Sequence, residues 1–372
     1  GRAAVLSVAT IAAMLPQGLP SPFTGAYADR FDRRVIMMAA DGAIGLASLG
    51  LVAAAADGSL TTAAILLALA LRSVGSAFHT PCIQAVTPLL APPEALTRCA
   101  GWSQGIQTVS MLLSPALAAL LYEQAPLAWV IALDTLGAVF AILGVLLARL
   151  PVLRVGDAGQ KLRVWADTVE GFRVLRSKRW LWELCLICAL FSVVFMPVSA
   201  LYPLMSIDYF QAGTQGAALV ETIWSVGMLL GSVVLGFWGG TRNKVYTMLG
   251  SVLFLGVTLV LTGLLPPSGF TAFAVLTMLM GLSAPFFNSI FTALIQEKVE
   301  GEYLGRVLGL TGAIMTLASP LGLAASALFS GRTGLSVWFL LAGIGTLACG
   351  ALAFALPSIR HCDDPAGPPV SD

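Results

Sequence analysis

Four charged side chains lie well inside long apolar stretches of this chain, and they are the first candidates for chemistry. They are Asp41, Arg72, Asp134 and Glu221. A charge inside a membrane is unfavourable, so such a residue usually pairs with another charge, faces a water-filled cavity or relays protons. Because Asp134 and Glu221 lie deepest in their stretches, they are the strongest candidates for a proton site. Arg72 stays charged at working pH and needs an acid or backbone oxygens as its partner.

The three acids also have a structural interpretation, which the sequence leaves open. Asp41 lies seven residues beyond Arg34, and at the rise of an α-helix this is roughly 10 Å. A pairing of Asp41 with Arg30 or Arg34 therefore competes with a proton role. Asp134 and Glu221 could each instead cap a helix end or form a pair at a helix end.

A charged loop separates the first two apolar stretches and forms the second group of candidates. It contains Gly25, Asp29, Arg30, Arg33 and Arg34. Lys and Arg resist translocation, so a short basic loop between two spans marks the cytoplasmic face of a membrane protein. That rule explains the arginines, but it does not explain the glycine or the acid.

The elements that position these residues are predicted to be membrane-spanning helices. Hydrophobic residues make up 58% of the 372 residues and charged residues only 10%, whereas a soluble domain has about 25% charged residues. About 20 apolar residues are enough for a helix to cross a bilayer. Eleven such stretches lie near residues 3–24, 35–56, 61–82, 100–122, 127–148, 180–206, 217–239, 245–265, 270–291, 305–329 and 334–356.

The charge distribution predicts how these spans are grouped. Most of the 20 Lys and Arg fall on the same side as the charged loop, which fits one orientation in the membrane. We predict an N-terminal bundle at 1–148, a cytoplasmic linker at 149–179, a six-helix C-terminal bundle at 180–356 and a cytoplasmic tail at 357–372. The chain begins at Gly1 directly before an apolar stretch, so we expect it to be truncated at its N-terminus.

The linker contains a helical pattern of apolar residues. They are Leu162, Trp165, Val169, Phe172 and Leu175. This spacing predicts an amphipathic helix that lies on the membrane surface. A helix that binds a partner protein is the alternative.

An internal repeat relates the two predicted bundles. The pattern E-x-L-x-R-x-x-G occurs at residues 94–101 and again at 302–309, on the same predicted side of the membrane. Two like-oriented halves joined by a long basic linker are typical of secondary transporters, which bind their substrate near the midplane between the halves.

Several motifs carry a family resemblance. The loop pattern G-x-x-x-D-R-x-x-R-R at 25–34 resembles the signature loop of the major facilitator superfamily. The stretches 72–81, 84–90, 101–107, 296–298 and 303–307 resemble the Mef-type macrolide efflux proteins, which are drug:proton antiporters of that superfamily. The likeness extends from Val5 to Leu356. It implies an all-α membrane protein with the major facilitator fold, two helical bundles and eleven of the family's twelve transmembrane helices, the first being absent.

The resemblance also implies roles for individual residues. Asp29 is expected to meet the start of the span at 304–306, in the opposite bundle, as a conformational latch when the cavity is open outward. Arg72 falls in a motif that is linked to proton movement. The family's fifth-helix motif is degenerate here, because Ser114 stands before the proline and Ala118 and Ala119 replace a glycine pair.

The resemblance implies a secondary active exporter in the bacterial inner membrane. It would move bulky hydrophobic compounds, such as macrolide antibiotics, outward by proton antiport. Residues considered for the substrate cavity are Gln104, Gln107, Phe195, Tyr202 and Asn288. For most aromatic side chains, contact with lipid is the alternative.

The sequence argues against several other functions. It has no phosphate-binding G-x-x-x-x-G-K-[ST] loop, so ATP-driven pumping has no support. We predict no enzyme activity, cofactor, metal site or nucleic-acid partner, and a monomer whose partners are the lipid bilayer, a small hydrophobic substrate and protons. Two alternatives remain: export of a native metabolite such as a siderophore, and a membrane scaffold or sensor that does not transport.

Overall fold

The computed structural model describes residues 21–148, 150, 164–329 and 334–363, and within them the chain is helical without strands. The helices are α1 (Ser21–Arg30), α2 (Arg33–Ala56), α3 (Thr62–Leu90), α4 (Leu96–Gln124), α5 (Leu127–Leu147), α6 (Val164–Ser177), α7 (Arg179–Leu204), α8 (Gly213–Trp238), α9 (Lys244–Gly263), α10 (Phe270–Lys298), α11 (Leu304–Phe329), α12 (Leu335–Ala355) and α13 (Pro357–Arg360). A π turn at Met205–Tyr209 continues α7.

Ten of the eleven predicted spans coincide with described helices. Eight of these are both long and apolar enough to cross a membrane: α2, α3, α5, α7 with its π turn, α8, α9, α10 and α12. The segment Leu304–Ser319 of α11 is a further, shorter apolar stretch among the described residues. Most of the predicted span at 3–24 lies outside the described residues.

Short polar residues between the apolar runs fix where several helices begin. Asp32 accepts a hydrogen bond from Arg34 N at 2.9 Å and caps α2. Asn243 accepts one from Val245 N at 3.0 Å and caps α9. Such side chains satisfy backbone N–H groups that lack a partner inside the helix, which stabilises a helix start by about 1 kcal/mol.

The chain forms two compact units. The first comprises residues 1–92, 113–174 and 298–313, and the second comprises 93–112, 175–297 and 314–372. Helices α4 and α11 therefore each contribute one end to each unit. The division into bundles at 1–148 and 180–356 stays a prediction.

Each unit has its own packed interior. In the first unit, α2 packs closely along α5, where a Cβ added at Gly45 would lie 2.9 Å from Ala138 Cβ. In the second unit, α9 and α12 come into backbone contact, since a Cβ added at Gly343 would lie 2.6 Å from Val260 N. Small residues allow membrane helices to approach in this way.

The linker contains the predicted helix, α6, but its apolar residues do not share one environment. Trp165, Val169 and Phe172 are exposed, whereas Leu175 is fully buried. Leu162 lies outside the described residues. Leu175 therefore lies apart from the three exposed apolar residues, and Asp167 is buried as well. The location of α6 on the membrane surface stays a prediction.

Candidate functional site

The charged loop is built around a buried carboxylate at the end of α1. Asp29 is only 2% exposed. Its Oδ1 accepts a hydrogen bond from Gly305 N at 2.9 Å and its Oδ2 accepts one from Arg306 N at 3.0 Å. Both N–H groups belong to the first turn of α11, where backbone donors lack helical partners and the helix dipole favours an anion. The expected contact between Asp29 and residues 304–306 is present, and its function as a latch stays a prediction.

Two glycines allow this contact. A Cβ added at Gly25 would lie 2.1 Å from the carbonyl oxygen of Gly305, and one added at Gly305 would lie 2.6 Å from Asp29 Oδ1. Both distances are shorter than real Cβ contacts, and in the first case the obstacle is backbone that cannot swing aside. The close approach of α1 to α11 therefore explains why the loop contains both Gly25 and Asp29.

Arg33 holds the buried carboxylate in position. Its Nη2 lies 3.2 Å from Asp29 Oδ1 and donates to the carbonyl oxygen of Gly301 at 3.0 Å. Its Nη1 donates to Ala85 O at 2.8 Å and its Nε to Ala28 O at 3.0 Å. Because its donors are used in this way, Arg33 ties the loop to α3 and to the segment before α11.

Arg306 links the same carboxylate to the linker helix. Its Nε lies 3.7 Å from Asp29 Oδ2, and its Nη1 pairs with Glu170 Oε2 on α6 at 2.8 Å. A Cβ added at Gly171 would lie 2.7 Å from Arg306 Cβ, so α6 passes directly beside this side chain. Glu170 was not among the predicted site residues, because its contact with Arg306 depends on the rotation of α6, which the local sequence does not reveal.

Burial is the largest influence on the Asp29 carboxyl and raises its pKa from the ordinary value of 3.8 to about 6. The two backbone N–H groups and the charges of Arg33 and Arg306 act in the opposite direction. The carboxyl therefore titrates close to physiological pH.

Two of the charged residues within the apolar stretches form an ion pair that joins three helices of the first unit. Arg72 Nη1 on α3 lies 2.6 Å from Asp134 Oδ1 on α5. The Ser48 hydroxyl on α2 donates to Asp134 Oδ2 at 2.6 Å. The sequence left open whether an acid or backbone oxygens would be the partner of Arg72. In the structure this partner is Asp134.

Asp41 has a different partner from the one expected. Its Oδ2 lies 3.5 Å from His79 Nε2 on α3. Arg34 instead donates from Nη1 to Leu150 O at 3.4 Å, and the side chain of Arg30 lies outside the described residues. Of the alternatives that the sequence left open, the pairing with Arg34 is not found, because Arg34 binds Leu150 O instead. A proton role for Asp41 stays a prediction.

A cavity of about 440 Å³ lies within the second unit, between α7, α8 and α10. Three of the predicted residues converge on it: Phe195 and Tyr202 from α7, and Glu221 from α8. Trp224 and Met280 complete much of its wall. An acid thus faces an otherwise largely aromatic and apolar space.

The walls of this cavity are held by close helix packing. A Cβ added at Gly281 on α10 would lie 2.3 Å from the carbonyl oxygen of Trp224 on α8. The Tyr202 hydroxyl donates to Thr277 Oγ1, and the Tyr202 ring lies 5.4 Å from the ring of Phe273. These contacts fix the position of the aromatic wall.

The remaining predicted residues lie away from this cavity. Gln104 and Gln107 are one turn apart on α4, with Gln104 Nε2 donating to Gln107 Oε1 at 3.4 Å. Asn288 is exposed on α10, and its carbonyl oxygen accepts a hydrogen bond from Thr292 at 2.9 Å. Their role in substrate binding stays a prediction.

Comparison with known proteins gives consistent results. The family model "Major Facilitator Superfamily" matches residues 2–219 and 193–369. The chain is 42% identical to the macrolide efflux protein A of Streptococcus pyogenes, over 98% of this chain and 90% of that protein. It is 43% identical to the macrolide efflux protein A of Enterococcus faecalis, over 87% and 100%. A bacterial homologue of the iron transporter ferroportin, crystallised in an outward-facing state, has a similar fold with a TM-score of 0.74 at 18% identity, over 95% of this chain and 90% of that one.

Proposed function

The chain belongs to the major facilitator superfamily as a multi-pass efflux transporter of the bacterial plasma membrane, and we propose that it exports macrolide-type compounds in exchange for protons. The observation that carries the proposal is the 42% identity with a macrolide efflux protein over 98% of the chain. The cavity of about 440 Å³ supports it, since sites for drug-sized ligands have volumes of roughly 300–1,000 Å³. In this proposal the transporter works as a monomer.

We assign proton coupling to the pair of Arg72 and Asp134. The ionised carboxylate binds the guanidinium through Oδ1 and accepts the Ser48 hydroxyl through Oδ2. A proton that binds Asp134 removes the negative charge that holds Arg72, so the pair opens as the proton arrives and closes as it leaves. Arg72 cannot lose its own proton, so it remains a fixed positive charge beside Asp134.

We assign conformational switching to the contact between Asp29 and the start of α11. The contact is stabilised by two backbone hydrogen bonds and by the charges of Arg33 and Arg306. A switch needs an element with two arrangements that differ by a few kcal/mol. A charged, close-packed contact of this kind meets that need, because it is either fully made or lost.

The export proposal is tested with the full-length protein in a host that lacks its own drug pumps. Cells that express it should accumulate less radiolabelled erythromycin than cells with the empty vector, and a protonophore should abolish the difference. A difference that persists with the protonophore would contradict proton antiport. Unchanged erythromycin accumulation would contradict macrolide export and leave a native metabolite or a non-transporting role.

The proton assignment is tested with Arg72→Lys. Lys keeps the charge but loses the planar fork that holds Asp134, so we expect a loss of efflux driven by a pH gradient while substrate binding is retained. Both quantities are measured on the same purified variant. Loss of binding together with transport would place Arg72 in the substrate site instead, and unchanged transport would leave it a packing role.

A further inference from the structure

The carboxylate of Glu221, in the cavity between α7, α8 and α10, differs in its surroundings from several other acids of this chain. Asp29, Asp41, Asp134 and Glu183 each have a basic side chain within ion-pair distance. Among the described residues, none supplies such a partner to Glu221, which lines the cavity. Its charge is therefore not balanced by the part of the chain that the structure describes.

The neighbours of Glu221 in the cavity are suited to a positive charge. Trp224 follows it by one helical turn on α8, and the rings of Trp224 and Tyr202 have centroids 6.2 Å apart. Aromatic ring faces attract cations, and Trp attracts them most strongly. The Tyr202 hydroxyl already donates to Thr277, so what Tyr202 contributes to the cavity is its ring.

We infer that this cavity binds the ammonium group of a bulky apolar compound, with Glu221 as its counter-ion and Trp224 and Tyr202 as its aromatic contacts. The inference deepens the proposed function by naming the chemical class of the exported compounds. The volume of about 440 Å³ lies near the lower end of the range for drug-sized sites, roughly 300–1,000 Å³. The cavity is therefore large enough for the ammonium-bearing end of such a compound. The apolar remainder of the compound would contact the aromatic residues Phe195, Tyr202 and Trp224.

The test uses two ligands of the same shape and different charge. They are trimethyl(1-naphthylmethyl)ammonium and its uncharged carbon isostere, 1-(2,2-dimethylpropyl)naphthalene. Binding of each radiolabelled compound to the full-length protein in lipid nanodiscs is measured, with binding to protein-free nanodiscs subtracted. We expect the ammonium compound to bind about tenfold more tightly or better, and tenfold corresponds to about 1.4 kcal/mol.

Three variants locate the effect. Glu221→Gln keeps the shape of the side chain and should lower the affinity for the cation to that of the isostere, while affinity for the isostere stays unchanged and shows that the cavity is intact. Trp224→Leu should weaken both ligands, and the cation more. Asp208→Asn is the matched control, because Asp208 is an exposed acid of the same unit outside the cavity wall, and it should behave as wild type.

Equal affinity of the wild-type protein for the two ligands would overturn the inference. So would a preference for the cation that survives in Glu221→Gln. The erythromycin experiment separates this inference from the proposed function. Erythromycin efflux without a preference for the cation would overturn the inference alone, and a preference for the cation without erythromycin efflux would overturn macrolide export alone.

Discussion

Helices α4 and α11 begin with the same E-x-L-x-R-x-x-G pattern, but the loops beside their first turns differ in charge. At α11, Gly305 and Arg306 donate their backbone N–H groups to the Asp29 carboxylate. At α4 the neighbouring loop, residues 236–244, contains no acid. A Cβ added to Gly239 of that loop would lie 3.1 Å from Arg98 Nε. One helix start is therefore covered by a buried charge and the other by uncharged backbone.

The two contacts therefore differ in whether they include an ionisable side chain: the contact at α11 includes the carboxyl of Asp29, and the loop beside α4 has no acid. The 236–244 loop turns through Gly239 and Gly240, whose φ angles are 78° and 89°. A side chain in that left-handed region is unfavourable by about 1–2 kcal/mol, so an acid there would strain the loop. We therefore expect the contact at Asp29 to respond to a change in its protonation and the contact at α4 to depend on shape alone.

Loss of the close approach of α1 to α11 should have the largest effect. In Gly25→Val, the added side chain meets the backbone of Gly305, and the docked arrangement cannot form. We expect efflux to fall to background and the thermal unfolding midpoint to drop, because overpacking of this kind typically destabilises by about 1–3 kcal/mol. Gly144→Val on α5 is the control, since a Cβ at Gly144 meets no atom within 4 Å. Wild-type efflux in Gly25→Val at equal expression would contradict the need for this approach.

Loss of one of the two carboxylate oxygens of Asp29 should have the next largest effect. Asn has nearly the same shape as Asp, but its amide cannot accept two backbone N–H groups. One of the buried N–H groups of Gly305 and Arg306 then lacks an acceptor, which costs about 1–3 kcal/mol. Asp29→Asn should therefore impair efflux strongly while membrane insertion stays normal. Asp32→Asn in the same loop is the matched control, because Asn caps a helix as well as Asp does. Transport at the wild-type rate in Asp29→Asn would refute a switching role.

The linker helix should contribute less to the charged contact. Glu170 pairs with Arg306 at 2.8 Å, but its side chain is 45% exposed, and exposed ion pairs contribute about 0–1 kcal/mol. Glu170→Gln should therefore lower the unfolding midpoint slightly and reduce efflux partially. The control is Glu94→Gln, at the exposed first position of the repeat beside α4. An effect as large as that of Asp29→Asn would mean that the linker, and not Asp29, governs the contact.

The sequence was sufficient to predict the helices, since apolar runs of about 20 residues bounded by polar caps such as Asp32 have one stable form in a membrane. It was also sufficient, through the family resemblance, for the contact of Asp29 with the start of α11. The prediction of the helices depends on local sequence pattern. The prediction of the Asp29 contact depends on a family motif that is associated with a contact between distant parts of the chain.

The sequence did not predict which charged residues pair with each other, for a physical reason. Arg72 and Asp134 are on different helices, and spacing along a chain does not reveal which helices are neighbours or how each is rotated. The same limit applied to Asp41, whose partner is His79. The rotation of α6 decided that Glu170 meets Arg306, and neither residue shows this in its local sequence.

A change in pH should have a smaller effect on the contact between Asp29 and α11. The direction of this effect shows whether burial or hydrogen bonding has the larger influence on the Asp29 carboxyl. Burial raises the pKa of this carboxyl to about 6 in the docked contact, whereas an exposed Asp has a pKa of about 3.9. The docked form therefore binds more protons between these values, so acid favours it and alkali weakens it. A change from about pH 7 to about pH 5.5 should shift the equilibrium about fourfold towards docking.

Hydrogen exchange of residues 302–309 measures this shift, with Asp29→Asn providing the reference that cancels the intrinsic pH dependence of exchange. Relative to that variant, the wild-type protein should become better protected as the pH falls from about 7 to about 5.5. The backbone N–H groups of Gly305 and Arg306 stabilise the charged carboxylate, whereas burial stabilises the neutral carboxyl group. Protection that falls on acidification would mean that the hydrogen bonds outweigh burial, and that protonation of Asp29 opens the contact instead of closing it.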